Sequence, residues 1–303
     1  MKTVIIFGGS GFIGSNIVRR LSKLGYKIII PTSNTEKASK LKICGEIGQI
    51  LPINLRSLDL DILNKLIEES HYILNLRTIW QENKKSTFEN QIFDFNKKIV
   101  NILKNFSDKR YIYFSGIGIS GDSKSNRTKA ISRSEKYIKN NIKNFLIIRP
   151  SIVIGNDDKF INRLLKIFYL FYIIPLFGDG KTRIQPTYVD DVALAIQKLI
   201  LKENIDSNIY ELGGNEILTY KDLYIFIAAQ IYRKRLFVPI PFNLAILGAY
   251  IFEKLNLNLI NREQVSLFKE DNLVTNEFLT YKDIEIDVTD TKEVIKNILN
   301  KKY

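Results

Sequence analysis

The sequence predicts an α/β protein in which a doubly wound parallel sheet is joined to a smaller, mostly helical lobe. Three observations predict this fold class. Short apolar runs alternate with helical patterns as far as Pro150, and a glycine-rich loop directly follows the first of these runs. Beyond Pro150 the apolar segments lengthen, and several of the seven prolines fall there.

Each predicted strand of the sheet is a short, mainly apolar run. The runs are Thr3–Phe7, Lys27–Ile30, Ile50–Ile53, Tyr72–Leu76, Tyr111–Phe114 and Phe145–Ile148. Helical patterns at Gly14–Leu24, Asp59–Glu69 and Glu89–Asn105 lie between several of them. Because apolar runs of this kind need cover on both faces, they indicate a parallel sheet. Right-handed crossovers between the strands then give a doubly wound sheet.

The chain is predicted to divide after Pro150. Residues 1–150 form the sheet domain, and residues 184–212 return to it, with Ile209–Leu212 as a seventh strand. Residues 151–183 and 213–303 form the smaller lobe. Doubly wound folds bind ligands outside the carboxyl ends of their strands, and this lobe is expected to lie across that edge.

Composition limits the possible partners. The chain has 45 Lys and Arg against 32 Asp and Glu, which gives a formal net charge of +13. A basic surface favours anionic partners, although a sequence this rich in Lys, Ile and Asn also fits AT-rich coding. The basic residues form no long run, which disfavours nucleic acid as a partner.

Several classes of site and targeting signal are excluded. Cys44 and His71 are the only residues of their types, so an internal disulfide, a zinc or other metal cluster and a His-based triad are not expected. The amino terminus shows no signal-peptide pattern, because its apolar run leads straight into the glycine loop. No stretch reaches the ~18–20 apolar residues of a membrane-spanning helix.

The glycine loop lies after the first strand and opens a helix. Gly8 allows a tight turn, Gly11 lets the backbone approach a pyrophosphate, and Gly14 lets helix and strand pack closely. The helix amino terminus presents free N–H groups to phosphates. The predicted dinucleotide contacts here are Gly8, Ser10, Gly11, Phe12, Ile13 and Gly14. The alternative is a glycine-rich turn without a ligand.

The end of the second strand favours NADP(H) over NAD(H). An acidic side chain there would bind the ribose hydroxyls of NAD, but no carboxylate occurs before Glu36. The hydroxyls of Thr32 and Ser33, together with Lys37, suit a 2′-phosphate. The alternative is a solvated turn with little cofactor preference.

Five stretches resemble a known superfamily over nearly the whole chain. They read GGSGFIG at 8–14, YIYFSGIGISG at 111–121, FLIIRPSIVIG at 145–155, PLFGDGKTRIQPTYVDDVALAI at 175–196 and IYELGGNEILTYKDL at 209–223. In this order they resemble the extended short-chain dehydrogenases/reductases of the NAD-dependent epimerase/dehydratase superfamily, which have a Rossmann sheet.

A second set of stretches resembles one atypical branch of that superfamily. These are the end of the second strand at 30–33, IIPLFGDGKTRIQPTYVDDVA at 173–193, RLFVPIPFNLA at 235–245 and NREQVSLFKEDNLV at 261–274. They are most similar to the branch containing the accessory subunit of respiratory complex I, NADH:ubiquinone oxidoreductase, and its bacterial homologues.

The resemblance implies further cofactor contacts. Asn54, with Leu55 beside it, matches the position that contacts adenine, and Leu76 matches a residue beside the cofactor. Arg149 and Pro150 resemble the segment that closes over the nicotinamide. Arg77 departs from the small residue usual after the fourth strand, and its alternative reading is a surface arginine.

The catalytic pair of the superfamily, a Tyr and a Lys four residues later, is missing. If Glu135 marks the register of the relatives, Arg127 and Ile131 occupy the two positions; if Lys129 is the Lys, the Tyr position holds Ser125. Ser115 is the candidate for the Ser that usually assists the pair, but it lacks an evident base. Its alternative role is to cap a loop.

Two apolar segments of the smaller lobe follow basic residues. Ile167–Phe177 follows Arg163 and Lys166, and Phe237–Phe252 follows Arg233–Arg235. This pattern suits contact with an anionic membrane surface. The alternative is that both segments form the core of the lobe.

The sequence therefore predicts a pyridine-nucleotide-binding, non-catalytic protein. It acts as an accessory or assembly subunit of complex I or of quinone-related machinery, at the inner face of a bacterial inner membrane or on the matrix side of the mitochondrial one. The alternatives are an NADP-dependent reductase, epimerase or dehydratase of a sugar nucleotide or lipid-like carbonyl, and an NAD(P)-sensing regulator.

Overall fold

The computed structural model describes residues 1–55, 59–202, 205–255 and 261–301. The chain divides into two compact units. Unit 1 comprises Met1–Pro150, Val189–Leu212 and Asn276–Asp287, and unit 2 comprises Ser151–Tyr188, Gly213–Thr275 and Val288–Tyr303. The return to unit 1 thus begins at Val189, whereas the sequence analysis begins it at residue 184. The short segment Asn276–Asp287 also joins unit 1.

Unit 1 is built on seven parallel strands, which confirms the predicted fold class. The strands are β1 (Thr3–Phe7), β2 (Lys27–Thr32), β3 (Ile50–Asn54), β4 (Tyr72–Asn75), β5 (Arg110–Phe114), β6 (Phe145–Pro150) and β11 (Asn208–Leu212). Their spatial order is β11-β6-β5-β4-β1-β2-β3. The strand order therefore reverses beside β1, between β2 and β4, and doubly wound sheets bind ligands at such a reversal.

The helices of unit 1 cover the sheet. They are α1 (Phe12–Lys23), α2 (Thr35–Ser39), α3 (Leu60–Glu68), α4 (Phe95–Leu103), α5 (Asn126–Asn141) and α7 (Val189–Leu201). A π-helical segment, Glu89–Asp94, leads into α4, where the sequence predicts one continuous helix. Side chains cap several starts; for example, Asn34 and Asp59 accept backbone N–H bonds at α2 and α3.

The sheet is buried as its apolar runs predict. Val4, Ile5 and Ile6 of β1 are fully buried, and each such side chain contributes roughly 1.5–3 kcal/mol to folding. Phe7 ends β1 and packs edge-on against Phe95, with ring centroids 5.2 Å apart. This contact joins the end of the central strand to the start of α4.

A buried chain of polar side chains fixes the end of β4. Asn75 donates to the Tyr111 hydroxyl at 2.9 Å, and that hydroxyl donates to Asn96 Oδ1 at 2.7 Å. Burial raises the pKa of Tyr111 well above its usual range, so the phenol stays protonated and can donate. Asn75 Oδ1 in turn accepts the Arg77 N–H at 3.1 Å, which holds the segment that follows β4.

Unit 2 contains short strand pairs and helices. The strands are β7 (Val153–Ile154), β8 (Ile173–Phe177), β9 (Arg183–Ile184), β10 (Thr187–Tyr188), β12 (Leu218–Thr219) and β13 (Leu236–Ile240); the helices are α6 (Phe160–Leu170), α8 (Tyr220–Gln230), α9 (Phe242–Lys254), α10 (Arg262–Leu267) and α11 (Thr291–Asn300). β7 pairs with β10, β9 with β12 and β8 with β13. None of the described helices is both long enough and apolar enough to cross a membrane.

Candidate functional site

The glycine loop forms a tight turn between β1 and α1. Gly8 has a φ of +82°, a conformation that favours glycine. The Gly9 N–H donates to the Ile6 carbonyl at 3.1 Å, and the Gly11 N–H donates to the Gly8 carbonyl at 2.9 Å. A Cβ placed on Gly14 would lie 2.3 Å from the Gly8 oxygen, so this helix position accepts only glycine without a shift of the backbone.

The start of α1 is open to an anion. Gly11 precedes the helix in an extended conformation and makes no side-chain cap, and the described first turn contains no acidic residue. Phe12 and Ile13, both half-buried, form that turn. The free N–H groups and the positive end of the helix dipole favour a phosphate here.

The ends of β2 and β3 bring several predicted contacts together. Both strands run one or two residues further than predicted, so Thr32 and Asn54 end them and face each other in register. The Thr32 hydroxyl lies 3.3 Å from Ser10 Oγ of the glycine loop. Leu55 follows Asn54 and is half-buried. These residues form one edge of the site.

The turn after β2 carries the residues predicted to select NADP(H). Ser33 and Lys37 are both exposed. The Lys37 N–H donates to Asn34 Oδ1 at 2.8 Å, which places this lysine in the first turn of α2. A hydroxyl and a cation are thus displayed close to the ends of β2 and β3.

The end of β4 lies against the glycine loop. The Leu76 N–H donates to the Phe7 carbonyl at 2.9 Å, and a Cβ on Gly8 would lie 3.2 Å from the Leu76 carbonyl atoms. Arg77 is not a surface arginine: it is half-buried, and its guanidinium lies 4.1 Å from the centre of the Phe95 ring and donates to Gln91. The segment that carries this cation therefore lies beside the loop.

In the register set by Glu135, the two α5 positions expected to hold a Tyr and a Lys serve other roles. In the alternative register, Ser125 takes the Tyr position and caps the start of α5. Ile131 is buried in the core of unit 1. Arg127 lies 3.9 Å above the Trp80 ring and donates to the Ile79 carbonyl at 3.1 Å. Trp80 is 44% exposed and is stacked against this cation.

Ser115 belongs to a buried ionic network that sequence reasoning missed. Its hydroxyl donates to Glu135 Oε1 at 2.5 Å. Arg149 donates through Nη2 and Nε to both Glu135 oxygens at 2.6 and 2.9 Å, and through Nη1 to Glu211 at 3.4 Å. The Phe278 ring centre lies 4.7 Å from the guanidinium. The two carboxylates raise the pKa of Arg149, and burial opposes them.

This network gives Arg149 a role other than the predicted nicotinamide contact. Its guanidinium is buried and bonded to two carboxylates. Pro150, which ends β6, accepts the Ile117 N–H through its carbonyl at 3.2 Å. One available signal was Glu211, an acid inside the predicted seventh strand, because a buried acid needs a partner.

Among the described residues, no group of three or more His, Cys, Asp and Glu side chains is placed to hold a metal ion. What the site offers is a backbone cradle for phosphates with hydroxyls and cations at its edges. On α5, in the register set by Glu135, Arg127 and Ile131 occupy the two positions at which the sequence analysis looks for a Tyr and a Lys.

Comparison with known proteins places this geometry in context. Residues 4–142 match the model of the NAD dependent epimerase/dehydratase family. A mitochondrial protein of Arabidopsis thaliana named NADH dehydrogenase (ubiquinone) 1 alpha subcomplex subunit 9 is 28% identical over 294 residues, which cover 93% of this chain and 73% of the plant protein. The Dictyostelium discoideum protein of the same name is 26% identical, covering 95% of this chain and 81% of its own.

Solved structures share the fold at lower identity. The UDP-glucuronic acid 4-epimerase of Bacillus cereus, solved in complex with NAD, aligns with a TM-score of 0.65 at 20% identity. The alignment covers 78% of this chain and 87% of the epimerase. At this identity the likeness concerns the fold.

The buried network yields a prediction about stability. Arg149→Met removes the cation between Glu135 and Glu211, and we expect the free energy of unfolding in urea to fall by about 3–5 kcal/mol because two buried carboxylates lose their partner. The control Arg133→Met breaks an exposed pair with Glu89 and should cost about 1 kcal/mol or less. Equal losses in the two variants would contradict the role of the network.

Proposed function

We propose, starting from the match of residues 4–142 to the NAD dependent epimerase/dehydratase family, that this chain is a non-catalytic, pyridine-nucleotide-binding accessory subunit of NADH:ubiquinone oxidoreductase. The observation that carries the proposal is a phosphate cradle without catalytic groups. Gly8, Gly11 and Gly14 shape that cradle, while Arg127 and Ile131 stand where a Tyr and a Lys would act.

The bound group is a pyridine dinucleotide. Its pyrophosphate meets the backbone amides at the start of α1, where charge-assisted hydrogen bonds are strong. Ser10, Thr32 and Asn54 meet at the adjoining edge, where the adenosine half lies. Dinucleotide binding at the reversal of strand order agrees with the general behaviour of doubly wound sheets.

Turnover is not part of this role. Proton transfer by a positioned acid or base typically contributes about 10²–10⁴-fold to a rate, and α5 supplies neither group at the required positions. The Ser115 hydroxyl donates to Glu135, whose two oxygens both accept hydrogen bonds from Arg149. That carboxylate is therefore committed to the ion pair with Arg149.

A bound nucleotide still serves an accessory subunit by stabilising its fold. A ligand present at a hundred times its dissociation constant adds about 2.7 kcal/mol to stability without any reaction. Relatives named as subunits of NADH dehydrogenase align with almost the whole chain, which supports a role in such an assembly. The site then acts as a structural element of a subunit.

The main test measures, for one variant, both NADPH binding and copurification with oxidoreductase subunits. A side chain on Gly11 would begin 3.0 Å from the Gly8 oxygen and fill the phosphate path, so we expect Gly11→Val to weaken NADPH binding at least about a hundredfold, measured by fluorescence titration. The control Gly248→Val adds the same side chain in α9 where no atom lies within 4 Å, and should leave binding unchanged.

The same proteins are then recovered from gently solubilised membranes of the source cell. We expect the wild type to copurify with oxidoreductase subunits. If Gly11→Val binds NADPH as tightly as the wild type, the glycine loop is not the nucleotide-binding site. Recovery of the wild type only as a free monomer would contradict the accessory role, and oxidation of NADPH with a carbonyl substrate that is lost in Ser115→Ala would favour an enzyme.

The preferred nucleotide in this proposal is NADP(H). Thr32, Ser33 and Lys37 display hydroxyls and a cation at the end of β2, and the described residues from Lys27 to Thr35 include no carboxylate. These groups suit a 2′-phosphate and give no acidic partner to the ribose hydroxyls of NAD.

Removing the lysine tests that preference. We expect Lys37→Met to weaken NADPH binding about tenfold and to change NADH binding by less than about twofold, because only NADPH has a 2′-phosphate for the ammonium group. Titration of both nucleotides measures the ratio. Lys23→Met, a similar change in the last turn of α1, serves as the control. An equal effect of Lys37→Met on both nucleotides would contradict 2′-phosphate recognition.

Unit 2 contacts an anionic membrane surface in this proposal. Leu170 and Tyr172 are 75% and 64% exposed, and Ile173 lies beside exposed Leu236 in the β8–β13 register. Other parts of the two predicted apolar segments do form core: Phe168, Ile174, Leu176 and Ala249 are buried. Each segment therefore contributes to both the core and the surface.

One face of α9 extends the exposed apolar surface. Ala245 and Ala249 pack inward with Val265, while Leu244, Leu247 and Ile251 lie at helical spacing and are each about half exposed or more. Basic residues border the β8–β13 pair: Arg233 lies over the Tyr169 ring, and Arg235 donates to the Phe168 carbonyl. Apolar side chains beside cations suit the interface of an anionic bilayer.

Vesicle binding tests this surface. We expect the protein to co-sediment with phosphatidylglycerol-containing vesicles more than with phosphatidylcholine vesicles, and raised salt to weaken the binding. Leu244→Ser combined with Leu247→Ser should reduce it about tenfold, because less apolar area enters the interface. The control combines Ile43→Ser with Ile47→Ser, two exposed sites of unit 1. Equal losses in the two double variants, or no lipid preference, would contradict the proposal.

A further inference from the structure

We infer that Arg77 contacts the pyrophosphate of the bound dinucleotide, an inference that rests on the proposed function. In the described parts of the chain, no carboxylate lies within ion-pair distance of its guanidinium. The side chain is half-buried, and its hydrogen-bond acceptor is the neutral amide of Gln91. Burial lowers the pKa of Arg77 by desolvation, yet a guanidinium remains charged at physiological pH.

Two other arginines of unit 1 have carboxylate partners. Arg149, which is buried, contacts the carboxylates of Glu135 and Glu211. Arg20 on α1 contacts Asp190 at 2.6 Å. Removing a cation from water without an opposite charge is costly. A half-buried guanidinium held by an amide and an aromatic ring is therefore suited to an anion that comes from outside the chain.

The chain holds Arg77 in place with neutral groups. Asn75 accepts its backbone N–H and is itself held by Tyr111. The guanidinium lies over the Phe95 ring at 4.1 Å, and the same ring packs against Phe7, the last residue of β1. Backbone and side chain are thus both fixed beside the end of β1, where the glycine loop begins.

The position of Arg77 matches that of the predicted pyrophosphate. The backbone of Leu76 packs against Gly8, so the segment after β4 adjoins the glycine loop. An anion bound by the amides at the start of α1 lies at this same edge of the sheet. The planar fork of an arginine donates two parallel hydrogen bonds to phosphate oxygens, which a lysine cannot do. The sequence alone left open whether this arginine was simply exposed.

The test compares a ligand that has a pyrophosphate with one that lacks it. We expect Arg77→Met to weaken NADPH binding about tenfold to a hundredfold, the range of charge-assisted hydrogen bonds. Binding of adenosine 2′-monophosphate, measured by displacement of NADPH, should change less than about twofold. Arg19→Met removes an exposed arginine from α1 and should leave both affinities unchanged. Thermal unfolding by circular dichroism checks that each variant is folded.

Each outcome decides the matter. Equal weakening of both ligands would assign Arg77 a structural role through Phe95 and overturn the inference, as would unchanged NADPH affinity. If Arg77→Met does not fold, Arg77→Lys keeps the charge without the fork and should show the same selective loss at smaller size. If the wild type binds neither ligand, the proposed function itself is overturned. If the wild type binds both ligands and Arg77→Met shows no selective loss, only the inference about Arg77 fails.

Discussion

The candidate site depends on one packing constraint, the close approach of the loop after β1 to the start of α1 and the end of β4. A Cβ on Gly14 would lie 2.3 Å from the Gly8 oxygen, and a Cβ on Gly8 would lie 3.2 Å from the Leu76 carbonyl. Side chains at these positions would separate strand, loop and helix. Glycine lets backbone amides form the binding surface, so affinity for a phosphate depends on the position of the main chain.

That dependence separates the candidate binding surface from α5, in a fold shared with epimerases. The cradle belongs to β1, α1 and β4, whereas the positions at which the sequence analysis looks for a Tyr and a Lys belong to α5. On α5 this chain has a buried isoleucine and an arginine stacked on Trp80. Glu135, on the same helix, joins Arg149 and Glu211 in an ionic network that links α5, β6 and β11. The proposed nucleotide site and this network therefore lie on different elements of unit 1.

The sequence predicted the local features well, because they follow from the spacing of neighbouring residues. Apolar runs indicated each strand of the sheet, and the GGSGFIG stretch indicated the turn and the helix after it. The network of Arg149 was missed because Glu135 and Glu211 lie 14 and 62 residues away and meet it only in the folded chain. Arg77 was ambiguous for the same reason: its burial depends on Phe95 and Gln91, two residues of a separate segment.

Native mass spectrometry of the protein, purified under gentle conditions from its own membranes, tests the central claim most directly. It reports the bound nucleotide and the associated subunits in one measurement. The account predicts one intact pyridine dinucleotide per chain and masses that correspond to subunits of NADH:ubiquinone oxidoreductase. An empty chain that stays empty when NADPH is added, recovered without companions, would contradict it.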